Sequence, residues 1–400
     1  MSGQFSFSFS GEDIDVDDEQ QQQQQQETLT AAPAQPVSTN SAFPVAGKPL
    51  LPAASHDLAQ MLSELPSKVA YGTLDVDLDI ESEGEGEGER IRLPRRELWD
   101  VRVQLMAEDD SRGGDGGELE PGLGTHDVRT GIYEGGFKSW ESSVDLVKVL
   151  RRSSRGLLSA RDHSTRVIEL GCGTGLPSLA LFQWALDARA AGGGDGDDSS
   201  YPWLSFVLAD YNPTVLQLVT LPNFLLSWAL HQQQQKHPGS SDLLKDAFSS
   251  EGDELDLTPE VLEAFTNFLS SRKIALRFFS GAWSPEFVSL VTAAADATRT
   301  GAGAGPGIGA NQATVIIGAE TIYSPFALGA FAQTLFALLE DDKARGDSAE
   351  AFVGAKKLYF GVGGSLDDFV AKAKELGAIT EQVWEETEGV RRGVVRCRLP

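Results

Sequence analysis

Beyond position 55 the apolar residues recur with two periods, every second residue or every third to fourth, and each period predicts one kind of element. Leu58, Met61, Leu62 and Leu65 share one face of a short helix over 55–66, with Ser55 as its N-cap. Leu74, Val76, Leu78 and Ile80 alternate with acids as a half-buried strand. Residues 95–105 alternate in the same way and are expected to pair with it. From about 127 the pattern changes. Short apolar runs at 166–170, 204–210, 274–279, 313–318 and 357–362 predict strands. Helical periods at 176–190, 213–230, 285–296, 325–340 and 365–376 lie between or after them. Strand and helix in alternation imply a parallel sheet covered on both faces. Two further strand-like runs, 379–386 and 393–399, are joined by Glu388-Gly-Val-Arg-Arg-Gly393. That link is too short for a helical crossover, so a terminal antiparallel hairpin is expected.

Composition divides the chain. Residues 1–127 carry 26 acidic and 8 basic residues, and 128–400 carry the other 33 and 25, within a net charge of −26. Gln20 to Gln26 is an unbroken glutamine run, followed by a Pro/Ala/Ser/Thr tract. Such a segment buries too little apolar surface to offset its ordering entropy. The expected organisation is a disordered acidic tail over 1–55, an N-terminal extension with a short helix and β-strands over 56–126, and an α/β domain over 127–400. Runs at 190–200, 231–258 and 297–311 read as surface insertions. Phe5, Phe7 and Phe9 alternate with Ser ahead of Asp13 and Asp15, a pattern that suits a short interaction motif or an unstructured tail. The acidic balance argues against phosphate-backbone binding and fits a basic protein partner. Cys172 and Cys397 are too few for a disulfide scaffold or a cysteine zinc site. No run of about 18 apolar residues and no secretory signal is visible, so a soluble intracellular protein without membrane contact is expected.

Gly171-Cys-Gly-Thr-Gly175 closes the 166–170 strand, and Asp210 ends the next. Glycines at a strand-to-helix turn let a cofactor approach the backbone, and an acid ending the second strand suits ribose hydroxyls. Glu169 stands two residues before the turn. A nicotinamide dinucleotide usually brings a third glycine at position 176 and an all-parallel sheet. Here position 176 is Leu and the sheet ends in a hairpin. These features favour S-adenosylmethionine, whose site needs no pyrophosphate cradle, and a Rossmann-like seven-strand methyltransferase sheet.

The chain resembles the eukaryotic, fungal-type protein-histidine N-methyltransferases of the seven-strand superfamily. The matching stretches are Gly131-Ile-Tyr-Glu-Gly-Gly-Phe-Lys-Ser-Trp-Glu141, Ile168-Glu-Leu-Gly-Cys-Gly-Thr-Gly-Leu176, Asp210-Tyr-Asn212, Thr220-Leu-Pro-Asn223, Phe278-Phe-Ser-Gly-Ala-Trp-Ser284, Glu320-Thr-Ile-Tyr323 and Tyr359-Phe-Gly-Val-Gly-Gly364. The resemblance implies methyl transfer from S-adenosylmethionine to the tele nitrogen of a histidine in a large-subunit ribosomal protein, by a monomer in cytoplasm and nucleus with no direct nucleic-acid contact. The expected cofactor-binding residues are Trp140, Glu169, Gly171, Cys172, Gly173, Thr174, Gly175, Asp210, Tyr211, Asn212, Gly281, Ala282, Trp283 and Ala319. Trp283 suits an adenine slot or the core. Trp140 suits a cation–π contact with a sulfonium or a helix anchor. Glu320 and Tyr323 follow the fourth strand of the domain, where this fold presents its acceptor, and are the expected catalytic pair. Glu320 would fix the imidazole tautomer, or bond backbone near the cofactor. Two alternatives share these motifs: a protein-lysine methyltransferase and a non-catalytic, cofactor-bound ribosome-assembly factor.

Overall fold

The computed structural model describes residues 50–78, 89–111, 136–153, 158, 162–191, 201–234, 241–249, 253–300, 312–359 and 364–400. All of them fall in the unit Asn40–Pro400. The glutamine run, the Phe-Ser motif, and residues 131–135 and 360–363 of the family blocks lie outside them.

Five strands form the parallel centre of the main sheet: β4 (Ser164–Leu170), β5 (Leu204–Asp210), β7 (Ile274–Ser280), β8 (Gln312–Ala319) and β9 (Ser348–Lys356). Near-continuous apolar runs suit strands covered on both faces. Their order is β7-β5-β4-β8-β9, so the chain starts at the middle strand and reverses direction between β4 and β8. The cleft beyond the carboxyl ends at such a reversal is where open α/β sheets bind ligands. The hairpin β10 (Ile379–Glu386) and β11 (Arg392–Arg398) completes one side, with β11 antiparallel to β9. This is the seven-strand sheet with its terminal hairpin. Helices α3 (Glu141–Ser153), α4 (Leu176–Ala191), α5 (Pro213–Gln234), α8 (Pro285–Thr300), α9 (Pro325–Ala344) and α10 (Leu366–Glu375) cover it. Two cores result, one on each face; Phe182, Phe206 and Phe224 pack in the first, Phe287, Phe331 and Phe369 in the second.

Several expectations need correction. The tail does not extend to residue 55: Ala54–His56 forms β1, antiparallel to β7 at its outer edge. Helix α1 is Leu58–Ser63, capped by Asp57, whose side chain accepts the Gln60 N–H at 2.9 Å, and not by Ser55. The extension strand starts early, as β2 (Lys68–Asp77), and pairs with β3 (Arg90–Arg96). Residues beyond 97 are not strand but helix α2 (Leu98–Ser111). Leu98, Val101 and Leu105 fit a helical period as well as Val101, Val103 and Leu105 fit alternation. Packing decides, because Val101 buries against Phe137, Val215 and Val219. The 231–258 insertion is partly structural. It carries α6 (Ser241–Ala247) and β6 (Glu254–Asp256), which pairs with Lys68–Ala70 of β2, and the next helix, α7 (Pro259–Ser271), follows at once. The fifth domain strand is β9, ahead of the expected 357–362. Ala351–Ala355 takes the place between β8 and β11 that burial requires. Finally, α5 is long and apolar enough to cross a membrane, against expectation. Its apolar stretch is 78% buried in the fold, which accounts for its composition.

Arg166 of β4 is the largest polar side chain sealed inside the fold. It reaches Asp342 of α9 at 2.5 Å, with side-chain exposures of 2% and 0%. Breaking such a pair leaves an uncompensated buried charge. Asp342→Ala should therefore destabilise the fold by about 3–5 kcal/mol, read as a lower urea midpoint at unchanged slope.

Candidate functional site

A cleft of about 70 Å³ opens at the carboxyl ends of β4, β5 and β8, where the strand order reverses. It is lined by Gly136, Lys138, Trp140, Ser143, Gly171, Cys172, Gly173, Thr174, Asp210, Tyr211, Asn212, Trp283, Ala319, Glu320, Thr321 and Tyr323. A roomier hollow of about 340 Å³ lies against β7, His56 and α7, but it shares no lining residue with this cleft.

At one end the glycine loop is tied to Asp210. Gly173 N–H donates to Asp210 Oδ2 at 3.0 Å, and Asn212 N–H donates to Oδ1 at 3.0 Å. The Tyr211 N–H and the Asn212 side chain also bond the carboxylate, so ribose hydroxyls would share or displace donors on its roughly four acceptor positions. Burial pushes the Asp210 carboxyl up to about 6, against the pull of these backbone donors. Helix α5 holds the loop from below. It contains a π-turn over Leu216–Thr220, a distortion frequent at functional sites. Thr220 Oγ1 donates to Gly173 O at 2.6 Å, and Asn223 Nδ2 donates to Thr174 O at 3.0 Å. The Asn223 oxygen in turn accepts the Arg96 N–H at 2.7 Å, linking the extension to the loop. From above, the segment before α3 crosses the loop, with Ser139 and Thr174 hydroxyls 2.8 Å apart.

Not every expected cofactor residue faces this space. Glu169 is buried under the loop and accepts the Ser178 N–H at the start of α4 at 3.0 Å. Desolvation pushes it up to about 8. Gly175 packs toward Phe224 and Thr220. Gly281 and Ala282 turn toward the segment before β1, where Ala282 N–H donates to Leu51 O at 3.0 Å. These four shape the cleft from behind. Cys172 lines it but is buried, and desolvation raises its thiol well above the usual range. Trp283 is 2% exposed and stacks edge-on against Phe331, with ring centroids 5.5 Å apart, so it forms floor and core at once. One face of Trp140 meets the Lys356 ammonium, 5.4 Å from the ring centroid.

Glu320 stands directly after β8, the strand beside β4. Its backbone lies in the left-handed region at φ 54°, a strained state that clusters at functional sites. Ser142 donates to its Oε1 and Tyr359 to its Oε2. Burial raises the Glu320 carboxyl, while Lys356, Ser142 and Tyr359 pull it down. No local motif announces this pair of hydroxyls: Ser142 directly follows the block ending at Glu141, and Tyr359 opens the block ending at Gly364. Tyr323 lines the cleft three residues on. Among the described residues, no group of three or more His, Cys, Asp and Glu side chains is arranged to hold a metal.

No family model matches the chain. It is 36% identical over 286 residues to histidine protein methyltransferase 1 of Saccharomyces cerevisiae, covering 70% of this chain and 68% of that protein. To the Schizosaccharomyces pombe protein of the same name it is 31% identical over 326 residues, covering 80% and 77%. The homolog from Bos taurus is 27% identical over 273 residues, covering 68% of this chain and 56% of its own length.

Proposed function

Because this chain belongs to the histidine protein methyltransferase family, we propose that it methylates the tele nitrogen of a histidine in a large-subunit ribosomal protein, acting as a monomer. It is an S-adenosylmethionine-dependent protein-histidine methyltransferase. One observation carries the finer reading: a single cleft joins the glycine loop and Asp210 to the Glu320–Tyr323 turn.

The residues present suit the cofactor. Asp210 ends β5 beside a loop whose Gly173 has φ 50° and would set a β-carbon tightly, 3.1 Å, against Gly136 O. Bound there, S-adenosylmethionine supplies an electrophilic methyl group. The chain's own residues orient the acceptor and exclude water, because an in-line displacement depends chiefly on positioning. Glu320 has two of its acceptor positions filled by Ser142 and Tyr359 and offers another to an imidazole N–H. Accepting from the pros nitrogen leaves the lone pair on the tele nitrogen. The carboxylate then also faces the positive charge that develops on the ring. Tyr323 walls the acceptor end. The net charge of −26 supports a basic acceptor, which oppositely charged surfaces draw in.

The test is incubation of the chain with labelled S-adenosylmethionine and salt-washed large-subunit ribosomal proteins, then peptide mass spectrometry. The expected product carries one methyl group on a histidine, with fragment spectra matching a tele-methylhistidine standard. Label on lysine, or on no ribosomal protein, refutes the reading.

Cofactor affinity should depend on pH through Asp210. Its carboxyl titrates near 6, and only the ionised form accepts both ribose hydroxyls and backbone donors. Affinity is therefore fully present above about 6 and lost as pH falls through that value, about tenfold per unit below it. Calorimetric titrations across that range should show the step in the wild-type chain. Asp210→Asn should remove the step together with most of the affinity.

A further inference from the structure

The block Tyr359-Phe-Gly-Val-Gly-Gly364 follows β9, and its two described ends meet at the acceptor end of the cleft. The Tyr359 hydroxyl donates to Glu320 Oε2 and accepts the Lys356 N–H at 3.3 Å. Its ring stands 5.8 Å from the Lys356 ammonium. Ser142, in the first turn of α3 and fully buried, donates to the other carboxylate oxygen. The Glu320 N–H donates to Gly354 O of β9 at 3.0 Å, which holds the left-handed backbone in place. At the far end of the block, Gly364 O accepts the Tyr359 N–H at 3.2 Å. A β-carbon on Gly364 would collide with Ile322 O and stand 2.5 Å from the Tyr323 carbonyl carbon. The block thus grips the Glu320–Tyr323 turn twice: a hydroxyl on the carboxylate, and bare backbone against Ile322 and Tyr323.

We propose that Tyr359, Ser142 and Gly364 are positioning residues for the methyl acceptor: the two hydroxyls fix the Glu320 carboxylate toward the cleft, and Gly364 seats the backbone that carries Tyr323. The role presupposes that Glu320 meets the acceptor imidazole. A free carboxylate on two rotatable bonds samples several orientations. Two donors, one on each oxygen, leave a single orientation and still leave lone pairs for an imidazole N–H. Donors to the charged form also favour it. They oppose the burial that raises Glu320, as does Lys356, while Glu141 acts in the opposite sense. Tyr359 itself remains a donor, because burial and the neighbouring Glu320 charge hold its hydroxyl well above the usual range.

The experiment uses the full chain with labelled S-adenosylmethionine and salt-washed large-subunit ribosomal proteins as acceptor. Tyr359→Phe keeps the ring and removes one donor; Ser142→Ala removes the other. Cofactor affinity by calorimetry should stay within about twofold, while single-turnover methylation near neutral pH falls about 10- to 100-fold. The acid limb of the pH–rate profile should move to higher pH in both variants, because Glu320 loses support for its charged form. Rate should therefore recover in part as pH rises, which a merely structural lesion would not produce. Unshifted limbs with wild-type rates, or a pH-independent loss together with lost cofactor binding, overturn the positioning role. A wild-type chain that labels no histidine overturns the acceptor assignment itself, a result distinct from labelled wild type with unshifted variants.

Discussion

Valine at position 173 should leave the chain folded but unable to hold its cofactor. Gly173 has φ 50°, where a β-branched side chain is a genuine outlier. The space is closed as well, since a β-carbon would lie 3.1 Å from Gly136 O and 3.3 Å from Gly136 Cα. Relief would come from lifting the segment before α3 off the loop or from turning the peptide. Turning it breaks the N–H bond to Asp210 and the Thr220 hydroxyl bond to Gly173 O. To bind, the relaxed loop must regain its strained geometry at about 1–3 kcal/mol, which corresponds to an affinity loss of up to about 100-fold. Calorimetric titration with S-adenosylmethionine checks this, alongside a thermal melt. Gly173→Ala should fall between, because it keeps the unfavourable φ but adds only the β-carbon. Wild-type affinity in the valine variant would remove the loop from the cofactor site.

The parallel strands were legible because each is a short apolar run closed by turn chemistry, and β4, β5, β7 and β8 lie within two residues of expectation at each end. The fifth was not. Ala351–Ala355 and Leu358–Val362 are both short apolar runs, and only the neighbours β8 and β11 decide which one enters the sheet. Helix α2 failed for a related reason: its apolar positions satisfy both periods until Val101 finds Phe137 and Val219. β6 is three residues in a polar insertion, too short to carry a periodic signal.

Site residues divide the same way. The loop and Asp210 could be found because their chemistry is local to a strand end. Glu169 and Gly175 flank the loop in sequence yet pack behind it, against Ser178 and against Phe224 and Thr220, and Gly281 and Ala282 turn toward the segment before β1. Thr220, Asn223, Ser142 and Tyr359 act across 39 to 178 residues of sequence separation, and the bonds that reveal them exist only once the sheet has formed. Separations of 47 for Thr220 to Gly173 and 178 for Ser142 to Glu320 are typical of them.

Glu320→Gln should slow methyl transfer by about 10²–10³-fold, the usual cost of removing one preorganised electrostatic contact, and barely change cofactor affinity. The amide matches the carboxylate in size and tolerates the same backbone, so the N–H bond to Gly354 and the turn to Tyr323 should persist. Two things are lost. The negative charge that faces the developing imidazolium disappears. The amide also turns one acceptor edge into a donor, so the hydroxyl facing it, Ser142 or Tyr359, must turn from donating to accepting, or the face that meets the imidazole becomes a donor and favours the wrong tautomer. Asp210 bonds the Gly173 and Asn212 N–H groups and not Glu320, so these bonds should persist. The separation of effects is therefore the decisive feature. Calorimetry and single-turnover methylation on the same preparation should show near-wild-type cofactor binding with a collapsed rate. Equal rates would remove Glu320 from the chemistry, and a collapse of cofactor binding would move it to the cofactor end, as the backbone-bonding alternative requires.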